Sequence, residues 1–144
     1  MRFAFPLLCL ALIGCEPSQD TFGRPLHPIF EYDSLSVAAN AGKFVEYYWK
    51  RPADYGVRHP VIVFLHGHQD GRATPGGKAM VDFGVLDTAV NHGYVGVSVS
   101  QPGYGRSAGP ADFMGPATVR AVQAVIDHFR AQPFVDAKRS HSRA

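Results

Sequence analysis

Hydrophobic and polar residues alternate loosely from Phe30 to Val37, where Phe, Tyr, Leu and Val mix with polar positions as in an edge strand. Asn40-Ala41-Gly42 is a turn signal. Lys43-Phe44-Val45-Glu46-Tyr47-Tyr48-Trp49 is rich in β-formers and stops at Arg51-Pro52, which predicts a hairpin with its aromatics used for packing. Pro60-Val61-Ile62-Val63-Phe64-Leu65 is a continuous apolar run. Its length and β-branching predict a strand buried on both faces. From Lys78 to Asn91, Met80, Phe83, Leu86 and Val90 recur at helical spacing, and Gly93 stops the helix. Gly84 inside that helix costs up to about 1 kcal/mol relative to Ala. Tyr94 to Ser100 is the next strand, and Gln101 to Pro110 a long turn. Pro116 opens a second helix with the stripe Val119, Val122, Val125, Ile126 and Phe129, and Pro133 closes it. A hairpin followed by strand–helix–strand–helix predicts an α/β sheet with Val61–Leu65 and Val95–Val99 as neighbouring parallel strands at its centre.

A chain of 144 residues, 46% hydrophobic and 18% charged, has room for one globular domain. Fourteen Lys and Arg against twelve Asp and Glu leave a scattered +2. That excludes a nucleic-acid footprint. The only cysteines, Cys9 and Cys15, lie in the first fifteen residues, so no disulfide or cysteine-based metal site can form in the body.

The N-terminus reads as an address. Arg2 precedes about eleven mostly apolar residues, the shape of a signal peptide. The run is shorter than the roughly 20 residues a spanning helix needs. It ends in Leu12-Ile13-Gly14-Cys15, which resembles the lipobox of bacterial lipoproteins. The resemblance implies removal of residues 1–14 and acylation of the Cys15 thiol. Two or more acyl chains anchor stably where one does not. The membrane is then a partner through Cys15, and the location is the cell envelope. Glu16 in place of Asp favours the outer membrane, facing the periplasm. Residues 15–28, with Pro17, Pro25 and Pro28, read as a tether. The folded body is expected over 29–139 and a frayed terminus over 140–144.

Within the body, His66-Gly67-His68-Gln69 follows an apolar strand, Gly93-Tyr94 introduces the next, and Pro102-Gly103-Tyr104-Gly105-Arg106-Ser107 follows that one. A helix then leads to Phe134-Val135-Asp136-Ala137-Lys138-Arg139. This order resembles the front of an α/β-hydrolase, closest to the dienelactone-hydrolase-like and prolyl-oligopeptidase-like esterases and peptidases. The resemblance implies that His66, Gly67, His68 and Gln69 form an oxyanion loop and that the backbone amide of His68 is the donor. Ester or amide hydrolysis builds charge on a carbonyl oxygen, and one such donor is worth about 3 kcal/mol. The His66 side chain is expected to anchor the loop, and that of His68 to line the pocket or face solvent. Substrates of intact relatives would be small esters or peptides, and no cofactor is implied.

Other site readings fit less well. Gly103 to Ala108 lacks the sixth-position glycine of a dinucleotide loop and does not open a helix directly. His59, His66, His68 and Asp70 lack metal-ligand spacing, with His59 expected at the far end of the strand. Arg106 reads as a solvated or structural loop cation. Asp87, Asp112, Asp127, His92 and His128 fall in packing or surface segments.

The family places a buried strand and Gly-x-Ser-x-Gly after the Lys138-Arg139 position. Here Ser140-His141-Ser142-Arg143-Ala144 follows directly, with Ser142 at the nucleophile position and neither flanking glycine present. The expectation is the N-terminal half of an α/β-hydrolase fold, an edge hairpin then strand–helix–strand–helix, truncated before the nucleophile strand and without activity. A lipid-anchored, non-catalytic binding module and a gene fragment are the rivals.

Overall fold

The computed structural model describes residues 31–69 and 75–139. Cys15, the proposed signal peptide and tether, Asp70, and Ser142 lie outside the described residues. Among the described residues, four strands form one sheet in the order β1-β2-β4-β3. Strand β1 (Glu31–Val37) and strand β2 (Lys43–Lys50) make the expected antiparallel hairpin, with Leu35 opposite Val45. A short 3-10 turn over Ala38–Asn40 joins them, and Ala41 and Gly42 take positive φ to close it. Strand β4 (Val95–Val99) pairs antiparallel with β2 and parallel with β3 (Val61–Leu65). The predicted parallel neighbours are therefore present, with Val63 beside Val97.

The helix expected over Lys78–Asn91 is two helices, α1 (Lys78–Asp82) and α2 (Val85–Asn91). The break falls at Gly84, which adopts φ +70, a left-handed conformation that a helix interior excludes and glycine accepts. The glycine thus terminates the first helix rather than merely weakening one. Phe83, expected on the apolar stripe, is 77% exposed as a result. Helix α2 packs against β4 so closely that a Cβ on Gly96 would lie 3.1 Å from that of Ala89. A side chain on Gly96 would require Ala89 or Leu86 to give by a few tenths of an ångström.

Helix α3 (Pro116–Arg130) starts with proline in its first turn, as expected. Its Ala121, Val125 and Phe129 join Val45, Tyr47, Val61, Val63, Val95, Val97 and Val99 in the main core. Val119 was expected on the stripe but is 58% exposed, and Thr118 is buried instead. The Thr118 hydroxyl donates to the carboxylate of Asp112, so a polar residue can occupy the inward position. Trp49 packs edge-on to Phe129 and stacks on Phe134, their rings 5.4 Å apart.

Strand β3 corrects a second expectation. Val61 and Val63 are buried, but Ile62, Phe64 and Leu65 are half-buried. Ile62 and Phe64 line an apolar groove of about 320 Å³ beside Phe83, Val85 and Ala89. The parallel pairing with β4 uses the Val95 N–H and the Pro60 carbonyl at 2.9 Å, so Ile62 and Phe64 direct their backbone groups to β4. Val61, Val63 and Leu65 direct theirs outward. Among the described residues, one parallel bridge occupies that outer edge, between His59 and Val135. The His59 N–H donates to Phe134 O at 3.0 Å and the Asp136 N–H to His59 O at 2.8 Å. After α3 the chain thus returns to the outer side of β3 and makes a single bridge at His59, just before the strand. At Asp136 it turns, the Arg139 amide donating to Asp136 O at 3.2 Å. No helix among the described residues is long and apolar enough to cross a membrane.

Candidate active site

Loops leaving the C-terminal ends of parallel strands carry the chemistry of open α/β sheets. Here they are His66–Gln69 after β3 and Gln101–Pro110 after β4, and polar side chains tie them together. The buried His66 ring donates from Nδ1 to Gly67 O at 2.8 Å and accepts the Gln101 N–H at Nε2, 3.1 Å away. The Gln101 amide donates back to His66 O at 2.6 Å. Both ring nitrogens are engaged by the neutral tautomer alone. Burial pushes the His66 pKa below 6.5, and the bond to Gly67 opposes this only in part. His66 is thus a brace between two loops, unsuited to act as a base.

Gln69 closes its own loop. Its side-chain amide accepts from Gly76 N at 2.9 Å and donates to Gly76 O at 3.2 Å. Gly76 sits at φ +59 with Ser100 where a Cβ would be, so only glycine fits this junction. The next residue, Gly77, receives the Ser98 hydroxyl on its carbonyl and donates its N–H to Ser100 Oγ, both at 2.8 Å. The start of α1 is thereby fixed to the end of β4. Gly67 and His68 remain exposed on this rim. The His68 ring is 2.8 Å from Tyr104 Oη through Nδ1, and its centroid is 5.3 Å from that of Phe113.

The residue that organises the second loop is Glu46, which sequence reasoning missed. It is 2% exposed on β2. Its carboxylate accepts the Ser100 hydroxyl at 2.5 Å, the Arg106 N–H at 3.1 Å and the Tyr48 hydroxyl at 3.0 Å. Its backbone N–H donates to Ser107 Oγ at 2.9 Å, and that hydroxyl donates on to Ser100 O. Burial, then the bond to Glu46, raises the Tyr48 phenol pKa and keeps the phenol a donor. The sequence signal was a carboxylate set between Val45 and Tyr47 on a strand, where a charge without partners would be costly. Arg106 lies over the Tyr32 ring at 5.7 Å, in keeping with a structural loop cation.

Before α3, Asp112 caps the helix by accepting from Ala117 N at 2.6 Å and Thr118 N at 3.2 Å. The Thr118 side chain, then the backbone donors, hold its carboxyl below the usual 3.8. Between Asp112 and the helix, Phe113 and Met114 take φ +48 and +69. Two consecutive non-glycine residues in the left-handed region cost about 1–2 kcal/mol each. They were also missed, since no local residue pattern demands this turn. His59 lies at the other end of β3 from His66, bonded to Gly93 O and Asp54. Asp87 pairs with Lys50 at 2.5 Å. Among the described residues, no group of three His, Cys, Asp or Glu side chains is placed to hold a metal ion.

No family model matches the sequence, and no curated protein is significantly similar to it. Solved structures are similar in fold. Est1E of Butyrivibrio proteoclasticus, solved with ferulic acid bound, superposes with a TM-score of 0.57 at 19% identity, over 72% of this chain and 39% of its own. The α/β-hydrolase GrgF of Penicillium sp. sh18 gives 0.59 at 13% identity, over 79% and 36%. Epoxide hydrolase VrEH1 of Vigna radiata gives 0.51 at 20% identity, over 69% and 28%. The chain has an α/β-hydrolase fold in part, spanning roughly a quarter to two-fifths of the length of the structures it resembles.

Proposed function

We propose that this chain carries the oxyanion side of a serine-type site for hydrolysis of esters or peptide bonds. The observation that carries the reading is the position of His66–Gln69. The loop leaves the C-terminal end of β3, braced by His66 and Gln69, while an isolated parallel bridge joins Val135 to His59, just before β3 on its outer side. A substrate carbonyl placed at this rim would receive the His68 N–H as charge develops on its oxygen. In an intact relative the nucleophile would arrive on a strand paired along this outer side of β3, where residues 136–139 here form a turn. The nearby serines cannot serve. Ser98, Ser100 and Ser107 are buried, and each hydroxyl donates to a protein acceptor. We propose that the described residues keep the pocket rim and are catalytically silent by themselves; a lipid-anchored, non-catalytic binding module is the alternative. Fluorophosphonate labelling and 4-nitrophenyl ester turnover test this. Neither is expected above background. Labelling at Ser142, lost in Ser142→Ala, would restore a working nucleophile and contradict the silent reading.

Anchorage through lipidated Cys15 in the cell envelope belongs to the same proposal, on the strength of Leu12-Ile13-Gly14-Cys15. Cys15→Ala should release the protein from the membrane fraction. A variant that still sediments wholly with membranes would place the anchor elsewhere.

A further inference from the structure

Phe113 and Met114 are 70% and 52% exposed, and both are held at positive φ. Their turn is fixed from both sides. Gly115 N–H donates to Asp112 O at 2.8 Å, while the Asp112 carboxylate holds the first turn of α3. Folding therefore presents two large apolar side chains to solvent in a conformation that neither residue favours. Such outliers concentrate at ligand sites, where surrounding structure holds them in place. The location adds a second, independent observation. The Phe113 ring packs 5.3 Å from the His68 ring, and His68 Nδ1 meets Tyr104 Oη at 2.8 Å. Phe113 thus borders the residue whose amide is the proposed oxyanion donor. Small-molecule sites combine apolar walls with a few placed polar groups, and this rim has both.

We propose that Phe113 and Met114 form the recognition wall for an apolar acyl or aryl group of the substrate, with the carbonyl end directed to the His68 amide. The inference rests on the hydrolase reading for the carbonyl end only. It commits the site to medium-chain or aromatic acyl groups over acetyl-sized ones.

The test uses the full chain and simple carboxylates as probes: acetate, butanoate, hexanoate and 3-phenylpropanoate. Binding is followed by NMR at the Met114 methyl and the His68 amide. Affinity should rise at least tenfold from acetate to hexanoate. Phe113→Gly and Met114→Gly should flatten that dependence while leaving the melting temperature equal or higher, because glycine accepts positive φ. A merely structural pair would lower the melting temperature and leave ligand preference unchanged, which overturns the proposal. Absence of chain-length dependence in the native chain also overturns it. Loss of binding to phosphatidylglycerol vesicles in Phe113→Gly, with no carboxylate preference in either protein, would assign the pair to a lipid surface instead. Chain-length dependence that shifts Met114 but leaves the His68 amide unmoved would keep the wall and remove the hydrolase reading.

Discussion

Strands β3 and β4 are parallel neighbours of five residues each, with two and three valines, and both are followed by a glycine-containing loop. Every residue of β4 is buried, whereas three of the five in β3 are only half-buried. Strand β4 has a partner on each side, and α2 packs against its Gly96 face. Among the described residues, strand β3 has one full partner, and its Ile62 and Phe64 open onto the groove. The difference teaches that apolar composition selects a strand, while neighbours decide its burial. Polar groups repeat the contrast. Around β4, Glu46, Ser98, Ser100 and Ser107 are all hydrogen-bonded although buried. Along β3, the outward groups of Val61, Val63 and Leu65 have no strand partner among the described residues.

The largest expected effect comes from removing a side chain on the covered side. Phe129→Ala should cost about 3–5 kcal/mol in urea unfolding, because the ring is 1% exposed against Tyr47 and Trp49. Phe83→Ala, at the open groove, should change stability by no more than about 0.5 kcal/mol. Equal costs would dissolve the contrast. Next, Glu46→Ala removes the common acceptor of Ser100, Arg106 and Tyr48. Bonds to a charged acceptor contribute about 1.5–3 kcal/mol each. A loss of about 3 kcal/mol or more is expected, with faster amide exchange at Arg106. Unchanged exchange there would show that the carboxylate does not hold the loop.

A fourth variant acts on the β3 edge. An apolar edge without charge or proline invites pairing with other chains. Phe64→Lys should lower self-association in sedimentation velocity while costing about 1–2 kcal/mol of stability. A native chain that is already monomeric at high concentration would show the edge to be protected. The smallest effect is pH dependence from His66. Its folded pKa lies below 6.5, so between that value and 6.5 the unfolded chain binds more protons. Stability should therefore be full above pH 6.5 and fall on acidification. His66→Gln should remove this part of the slope in urea midpoints taken from pH 7.5 to 5.5. The carboxyls of Asp112 and Asp136, held below 3.8, titrate outside that window.

Periodicity located the hairpin, both parallel strands and α3, because each buries a face that its residue pattern records. It placed one helix where Gly84 makes two, since the cost of a helical glycine says nothing about whether the chain uses its positive φ. The half-buried Ile62 and Phe64 face of β3 was hidden for a related reason, as an apolar run does not specify what covers it. The loop after β3 was legible from His66-Gly67, but its braces were not. Gln101 lies 35 residues from His66, and in the loop after β4 Glu46 lies 54 and 60 residues from Ser100 and Arg106, and such long-range bonds leave no local signature. Phe113 and Met114 were invisible because their strain is imposed by Asp112 and α3.

Amide hydrogen exchange along β3, read residue by residue by NMR, tests the central claim most directly. The claim is that β3 is paired on its β4 side, has no strand partner on the other among the described residues, and is met just before its start by the chain leaving α3. The account predicts slow exchange at Ile62, Phe64 and Asp136, and fast exchange at Val63 and Leu65. Val63 and Leu65 as slow as Val97, or an Asp136 amide that exchanges freely, would contradict it.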